Sequence, residues 1–119
     1  MVLTDFCQRI KEDAWGDVSL KMEATDMHVF SALFKLHLPS TSLKGKRGIV
    51  KSLLARARNS FNVAAAEVDL QDLPGTAVLA FVTVSENRAL ARRLLERLEE
   101  WVMEERPDLE LVAVEIEER

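Results

Sequence analysis

Within residues 28–117 the spacing of apolar residues changes from every second position to every third or fourth and back, twice over. Few folds accommodate that order of periods. In HVFSALFKLHL (28–38), Phe30, Ala32, Phe34, Leu36 and Leu38 share one parity, which predicts a half-buried strand ended by Pro39. Ser40, Thr41 and Ser42 then offer capping hydroxyls, Ser42 being the best placed. Leu43, Val50, Leu53, Leu54, Ala57 and Phe61 make the apolar stripe of a helix that ends near Asn59. FNVAAAEVDL (61–70) and TAVLAFVTV (76–84) read as two strands of a hairpin. They are joined by Asp72-Leu73-Pro74-Gly75, where Pro presets one dihedral and Gly supplies a positive one. Ser85 is expected to cap a second helix over about 86–105, with Leu90, Leu94, Leu98, Trp101 and Val102 as its apolar stripe and Pro107 as its stop. LELVAVEIE (109–117) closes the pattern as a fourth strand.

The order β-α-β-β-α-β over residues 27–119 predicts an α+β, ferredoxin-like βαββαβ sandwich. Its four-stranded antiparallel sheet has strand order 4-1-3-2 and carries both helices on one face, with right-handed crossovers. Residues 1–26 read as an extension: Leu3, Phe6, Cys7 and Ile10 fit a short helix, Gly16 interrupts it, and Met27 is a candidate alternative start.

Such a sheet has a second face. If Phe30, Phe34, Val112, Val114 and Ile116 point toward the helices, Val29, Leu33, Leu111 and Ala113 point away. An apolar face of several hundred Å² is more than a monomer ordinarily exposes. The expectation is a homodimer through Val29, Leu33, Leu111 and Ala113, with residues 1–26 as the other candidate cover.

The longest apolar run, about 77–84, is far short of the roughly 20 residues that span a bilayer, and charges at Asp5, Arg9, Lys11, Glu12, Asp13 and Asp17 break any leader-like apolar region. The expected location is the cytoplasm. Cys7 is the single cysteine and there are two histidines, so neither a disulfide framework nor a zinc site is expected, and no metal or cofactor is implied.

Charge is distributed unevenly. Between Asp26 and Glu67 there is no acidic residue but seven basic ones: Lys35, Lys44, Lys46, Arg47, Lys51, Arg56 and Arg58. Residues 67–119 carry fourteen acidic and six basic groups, and the net charge is −4. The basic residues crowd the start and outer side of the first helix, a pattern that holds phosphate by salt-sensitive backbone contacts. The expected anion or nucleic-acid site is Lys44, Lys46, Arg47, Lys51 and Arg58. The competing reading is a solvated helix face paired to the acidic second helix or the acidic tail. Tyr is absent and the third strand lacks a glycine–aromatic signature, so the stacking platform of an RNA recognition motif is missing.

Glu67, Asp69 and Asp72 are the remaining candidates for acid–base chemistry. They fall at a strand end and turn, where carboxylates ordinarily serve solubility and turn hydrogen bonds, and His28 and His37 lie on opposite parities of one strand. No catalytic residues are assigned, and an enzyme is not expected. A dimeric small-molecule-binding or regulatory module is the alternative function.

SLKGKR at 42–47, FNVAAAEVD at 61–69 followed by QDL at 71–73, and VS at 84–85 together resemble the YlxP-like family of small bacterial proteins of uncharacterised function. The resemblance covers residues 27–119 and implies a ferredoxin-like fold. The family pattern falls on Ser42, Leu43, Lys44, Lys46, Arg47, Phe61, Asn62, Glu67, Asp69, Gln71 and Asp72. The chain departs from it at Gly45, Leu70 and Pro74, where acidic or polar, His and Trp residues are usual. Genes of such proteins often neighbour those of translation initiation and ribosome maturation factors. The resemblance thereby implies an accessory role near RNA or the ribosome, with no catalytic residue to transfer.

Overall fold

A computed structural model describes residues 26–119. The elements run β1 (His28–His37), α1 (Leu43–Ser60), β2 (Ala64–Asp69), β3 (Thr76–Ser85), α2 (Arg88–Glu105) and β4 (Glu110–Glu118). The four strands form one sheet in the order β2-β3-β1-β4, every pairing antiparallel, which is the expected α+β arrangement and strand order. The helix expected within residues 1–26 lies outside the described residues.

The core follows from strand parity. Phe30, Ala32, Phe34 and Leu36 of β1 sit opposite Thr83, Phe81, Leu79 and Ala77 of β3, and all eight are buried on one face. Phe34 and Phe81 pack as a tilted pair with ring centroids 5.1 Å apart. Both helices cover this face: Val50, Leu53, Leu54 and Ala57 from α1, and Ala91, Leu95, Leu98 and Val102 from α2, join the same core. No helix among the described residues is long and apolar enough to cross a membrane.

Two bulges re-aim side chains. The β1–β4 register shifts between Lys35 and Leu36, so Lys35 faces Ala113 while Leu36 faces Leu111, leaving Val112 as the extra residue. Leu111 therefore packs against the core and Val112 is 45% exposed, which reverses the expected orientation of both. A second bulge at Val68 leaves Glu67 opposite the buried Leu79, so Glu67 looks into the helix layer.

The helix ends carry the expected chemistry with one displacement. Ser42 caps α1, its Oγ accepting from Gly45 N at 3.1 Å. A Cβ on Gly45 would lie 2.9 Å from Ser40 Oγ, so this glycine is dictated by packing. The cap of α2 is Asn87 rather than Ser85: Asn87 Oδ1 accepts from Leu90 N at 3.1 Å. Ser85 remains in the β3 ladder opposite His28, so the helix cannot begin until the chain has left the sheet. Along α2, Leu98 and Val102 of the expected stripe are buried together with Ala91 and Leu95, while Leu90 is 51% exposed.

Candidate functional site

The start of α1 presents two faces with different fates. Residues 46, 50, 53 and 57 fall within about 60° of one another around a helix of 3.6 residues per turn. Val50, Leu53 and Ala57 are core residues, and Lys46 goes inward with them, 1% exposed. Its ammonium reaches the β2–β3 connection, where Nζ donates to Leu70 O at 2.5 Å and Leu73 O at 2.8 Å and lies 2.9 Å from Glu67 Oε2. That carboxylate oxygen is buried and makes no hydrogen bond, so its compensation is the ion contact itself. Lys46 is thus removed from the expected anion-binding set: a buried, fully engaged ammonium has no donor to offer a phosphate.

The same contacts account for the shape of the connection. Leu70 adopts a left-handed backbone at φ 58, a conformation that costs a side-chain-bearing residue roughly 1–2 kcal/mol. Asp69 Oδ1 accepts from Leu70 N at 2.8 Å, Leu73 N donates to Leu70 O at 3.1 Å, and Lys46 adds its charge-assisted bonds. The positive dihedral of this turn therefore sits at Leu70 and not at Gly75. Much of the recognisable pattern is architectural. Ser42 caps, Lys46 and Glu67 tie α1 to β2, Asp69 holds the turn, and Phe61 meets Trp101 edge-on at 5.6 Å. The Asn62 carbonyl accepts from Thr83 Oγ1 at 2.8 Å.

The outer face of α1 is different. Lys44, Arg47, Lys51 and Arg58 also fall within about 60° of one another, opposite Lys46, and run along about 21 Å of helix axis. All four are exposed. Lys44, Arg47 and Lys51 have no carboxylate partner among the described residues, while Arg58 Nη1 donates to Ala65 O at 3.0 Å and keeps further donors. Arg56 is turned aside to pair with Glu105. No acidic residue occupies the first turn of α1. Lys44 and Arg47 thus lie at the positive end of the helix dipole, where cations cost stability and an anion would relieve them. Gly48 lies on this face, and a Cβ there would meet nothing within 4 Å.

On the uncovered side of the sheet, Val29 and Leu33 are half-buried and Ala113 is exposed, as are Val82, Val84 and Val112. Leu33, Lys35, Val78, Ala113 and Glu115 line a shallow depression there. Leu111 does not belong to this face, because the Val112 bulge turns it into the core. At one end of the sheet Arg119 Nε donates to Ser31 Oγ at 2.7 Å.

Two of the three acid–base candidates are otherwise engaged, and Asp72 is exposed in the β2–β3 connection. Glu67 holds Lys46 and Asp69 accepts from Leu70 N. His28 and His37 lie at opposite ends of β1, beside Glu118 and Glu110 respectively. Among the described residues no three His, Cys, Asp or Glu side chains come together as a metal site. Glu118 is held below the ordinary carboxylate range by hydrogen bonds from His28 and Arg88, and Asp108 likewise by Arg106.

Residues 29–116 match the family described as "Protein of unknown function (DUF503)". The chain is 35% identical over 57 residues to the uncharacterized protein YlxP of Bacillus subtilis (strain 168), an alignment spanning 48% of this chain and 62% of the relative. Among solved structures, the de novo designed protein Foldit4 superposes with a TM-score of 0.45 at 14% identity, covering 79% of this chain and 97% of the design.

Proposed function

The chain belongs to the DUF503 family, whose function is unknown, and on that premise we propose that it is a non-enzymatic, cytoplasmic binding protein of ferredoxin-like architecture. It docks on RNA or a ribosomal particle as an accessory factor. The contact surface is the outer face of α1: Lys44, Arg47, Lys51 and Arg58. The observation that carries this reading is the division of the basic cluster. Lys46 is absorbed into the core, yet Lys44, Arg47 and Lys51 stay exposed on one side without acidic partners among the described residues.

A row of separate cations without aromatic neighbours suits phosphate contacts, which position a protein on a nucleic acid without reading its bases. Binding of this kind weakens steeply with salt, the logarithmic slope growing by about 0.7 to 0.9 per phosphate engaged. Co-sedimentation with ribosomal particles and with free RNA across a salt series tests it. Wild-type protein should pellet at low salt and be released as salt rises, and K44E/R47E/K51E should stay in the supernatant. Wild type that remains off both at low salt would refute the proposal.

The open sheet face supports a homodimer through Val29, Leu33 and Ala113, extended by Val82, Val84 and Val112 in the place of Leu111. Light scattering at graded concentrations should give twice the chain mass, and a V82K/V84K variant should give a monomer.

A further inference from the structure

A cleft of about 380 Å³ opens where the end of α1 meets the first half of α2. Phe61 and Leu94, both packed on the core, give it apolar walls, and Leu90 adds a side chain that α2 leaves 51% exposed. Ser60 and Asn62 line it from the α1 side, and Arg93 and Arg97 from α2.

The charges of α2 single this cleft out. The helix carries four arginines. Arg88 is paired with Glu118 and Arg92 with Glu96. Arg93 and Arg97, the two that line the cleft, have no carboxylate within ion-pair distance among the described residues. They stand one turn apart, a spacing at which like charges repel and weaken a helix. An exposed leucine and two unpaired, mutually repelling guanidiniums thus converge on one concavity. A ligand that is anionic at one end and apolar at the other would pair the guanidiniums and cover the leucine.

We propose that this cleft binds a phosphate monoester carried on a compact apolar body. The phosphate bridges Arg93 and Arg97, whose planar forks match its oxygens. Its charge of about −2 near neutral pH balances two guanidiniums, where a carboxylate would balance one. The apolar body lies against Phe61, Leu90 and Leu94, and the Ser60 hydroxyl and Asn62 amide are placed to bond its polar substituents. A concave, mostly apolar site with a few converging polar groups is the usual form of a small-molecule pocket. The apolar walls distinguish it from the α1 stripe, which offers only charge.

The test titrates 1-naphthyl phosphate into the isotopically labelled full chain. Saturable shifts are expected at the Arg93 and Arg97 side-chain N–H groups and the Leu90 and Leu94 methyls. Inorganic phosphate, 1-naphthol and 1-naphthoate should each bind at least roughly tenfold more weakly. R93Q/R97Q, changing only exposed residues, should melt no lower than wild type and lose roughly tenfold or more in affinity, while K44E/R47E/K51E should bind as wild type does. The proposal is overturned if no saturable shift occurs or if R93Q/R97Q binds undiminished. It is equally overturned if 1-naphthol or 1-naphthoate binds as tightly, or if the shifts fall on Lys44, Arg47 and Lys51.

Discussion

The Lys46 ammonium lies 2.9 Å from Glu67 Oε2, joining a residue of the first helix to a residue of the second strand across 21 positions of sequence, with the lysine 1% exposed. The pair ties the two most recognisable stretches of the chain, SLKGKR and EVDLQDL, into one structural unit. Removing one partner leaves the other charge buried and uncompensated, which costs roughly 3–5 kcal/mol in a buried pair. Lys46→Met and Glu67→Gln should each lower urea-melt stability substantially, Lys46→Met the more, because it also strands the Leu73 carbonyl and takes one of two donors from Leu70 O. The double variant should lose less than the sum of the two. Additive losses would mean that the pair is not coupled.

Gly45 and Gly48 are three residues apart on α1 and should respond in opposite directions. A Cβ at Gly48 meets nothing, so Gly48→Ala should gain up to about 1 kcal/mol from helix propensity alone. A Cβ at Gly45 presses on Ser40 Oγ at 2.9 Å and Ser42 Oγ at 3.1 Å, disturbing the cap that holds the helix start. Gly45→Ala should therefore lower the melting temperature where Gly48→Ala raises it.

The bulge in β4 makes a similar contrast between neighbours. Leu111→Ala removes core packing and should cost roughly 2 kcal/mol or more in denaturant unfolding. Val112→Ala, on the exposed side, should stay within about 0.5 kcal/mol for the monomeric fold. Equal losses would place both side chains in the core and contradict the register.

How much of this was legible in the sequence depends on whether a residue's neighbours are local. The alternation of β1 and the Ser42 cap are written in adjacent residues and appear where the pattern puts them, whereas the turn of the β2–β3 hairpin takes its positive dihedral at Leu70 and not at Gly75. Lys46 was legible too: it stands four residues before Val50 and seven before Leu53, on the apolar side, but grouping residues by charge rather than by angle assigns it to the wrong face. The Val112 bulge is set by pairing with β1, and the capping of α2 by Asn87 follows from Ser85 being held opposite His28, so neither is visible in a local window. The cleft at Arg93 and Arg97 was missed because it forms only when the end of α1 is brought against α2.

Glu118 links β4 to β1 and to the start of α2 by accepting from His28 Nδ1 at 3.2 Å and Arg88 Nε at 2.6 Å. These bonds depress its pKa in the folded state. The unfolded chain therefore takes up the proton at higher pH than the folded one. Glu118's contribution is fully present above the ordinary carboxylate range and is lost as pH falls through that range toward its depressed native value. In thermal melts over an acid pH series, Glu118→Gln should be less stable than wild type near neutrality and converge with it at low pH. A gap that widens with acidification would contradict this assignment.

The most direct test of the account reverses the charge of the exposed cations on the outer face of α1. K44E/R47E/K51E, altering only exposed groups, should melt no lower than wild type and fail to co-sediment with ribosomal particles at low salt, while wild type pellets and is released by added salt. A K44E/R47E/K51E protein that pellets as wild type does would show the outer face of α1 to be a solvated surface and not a binding one.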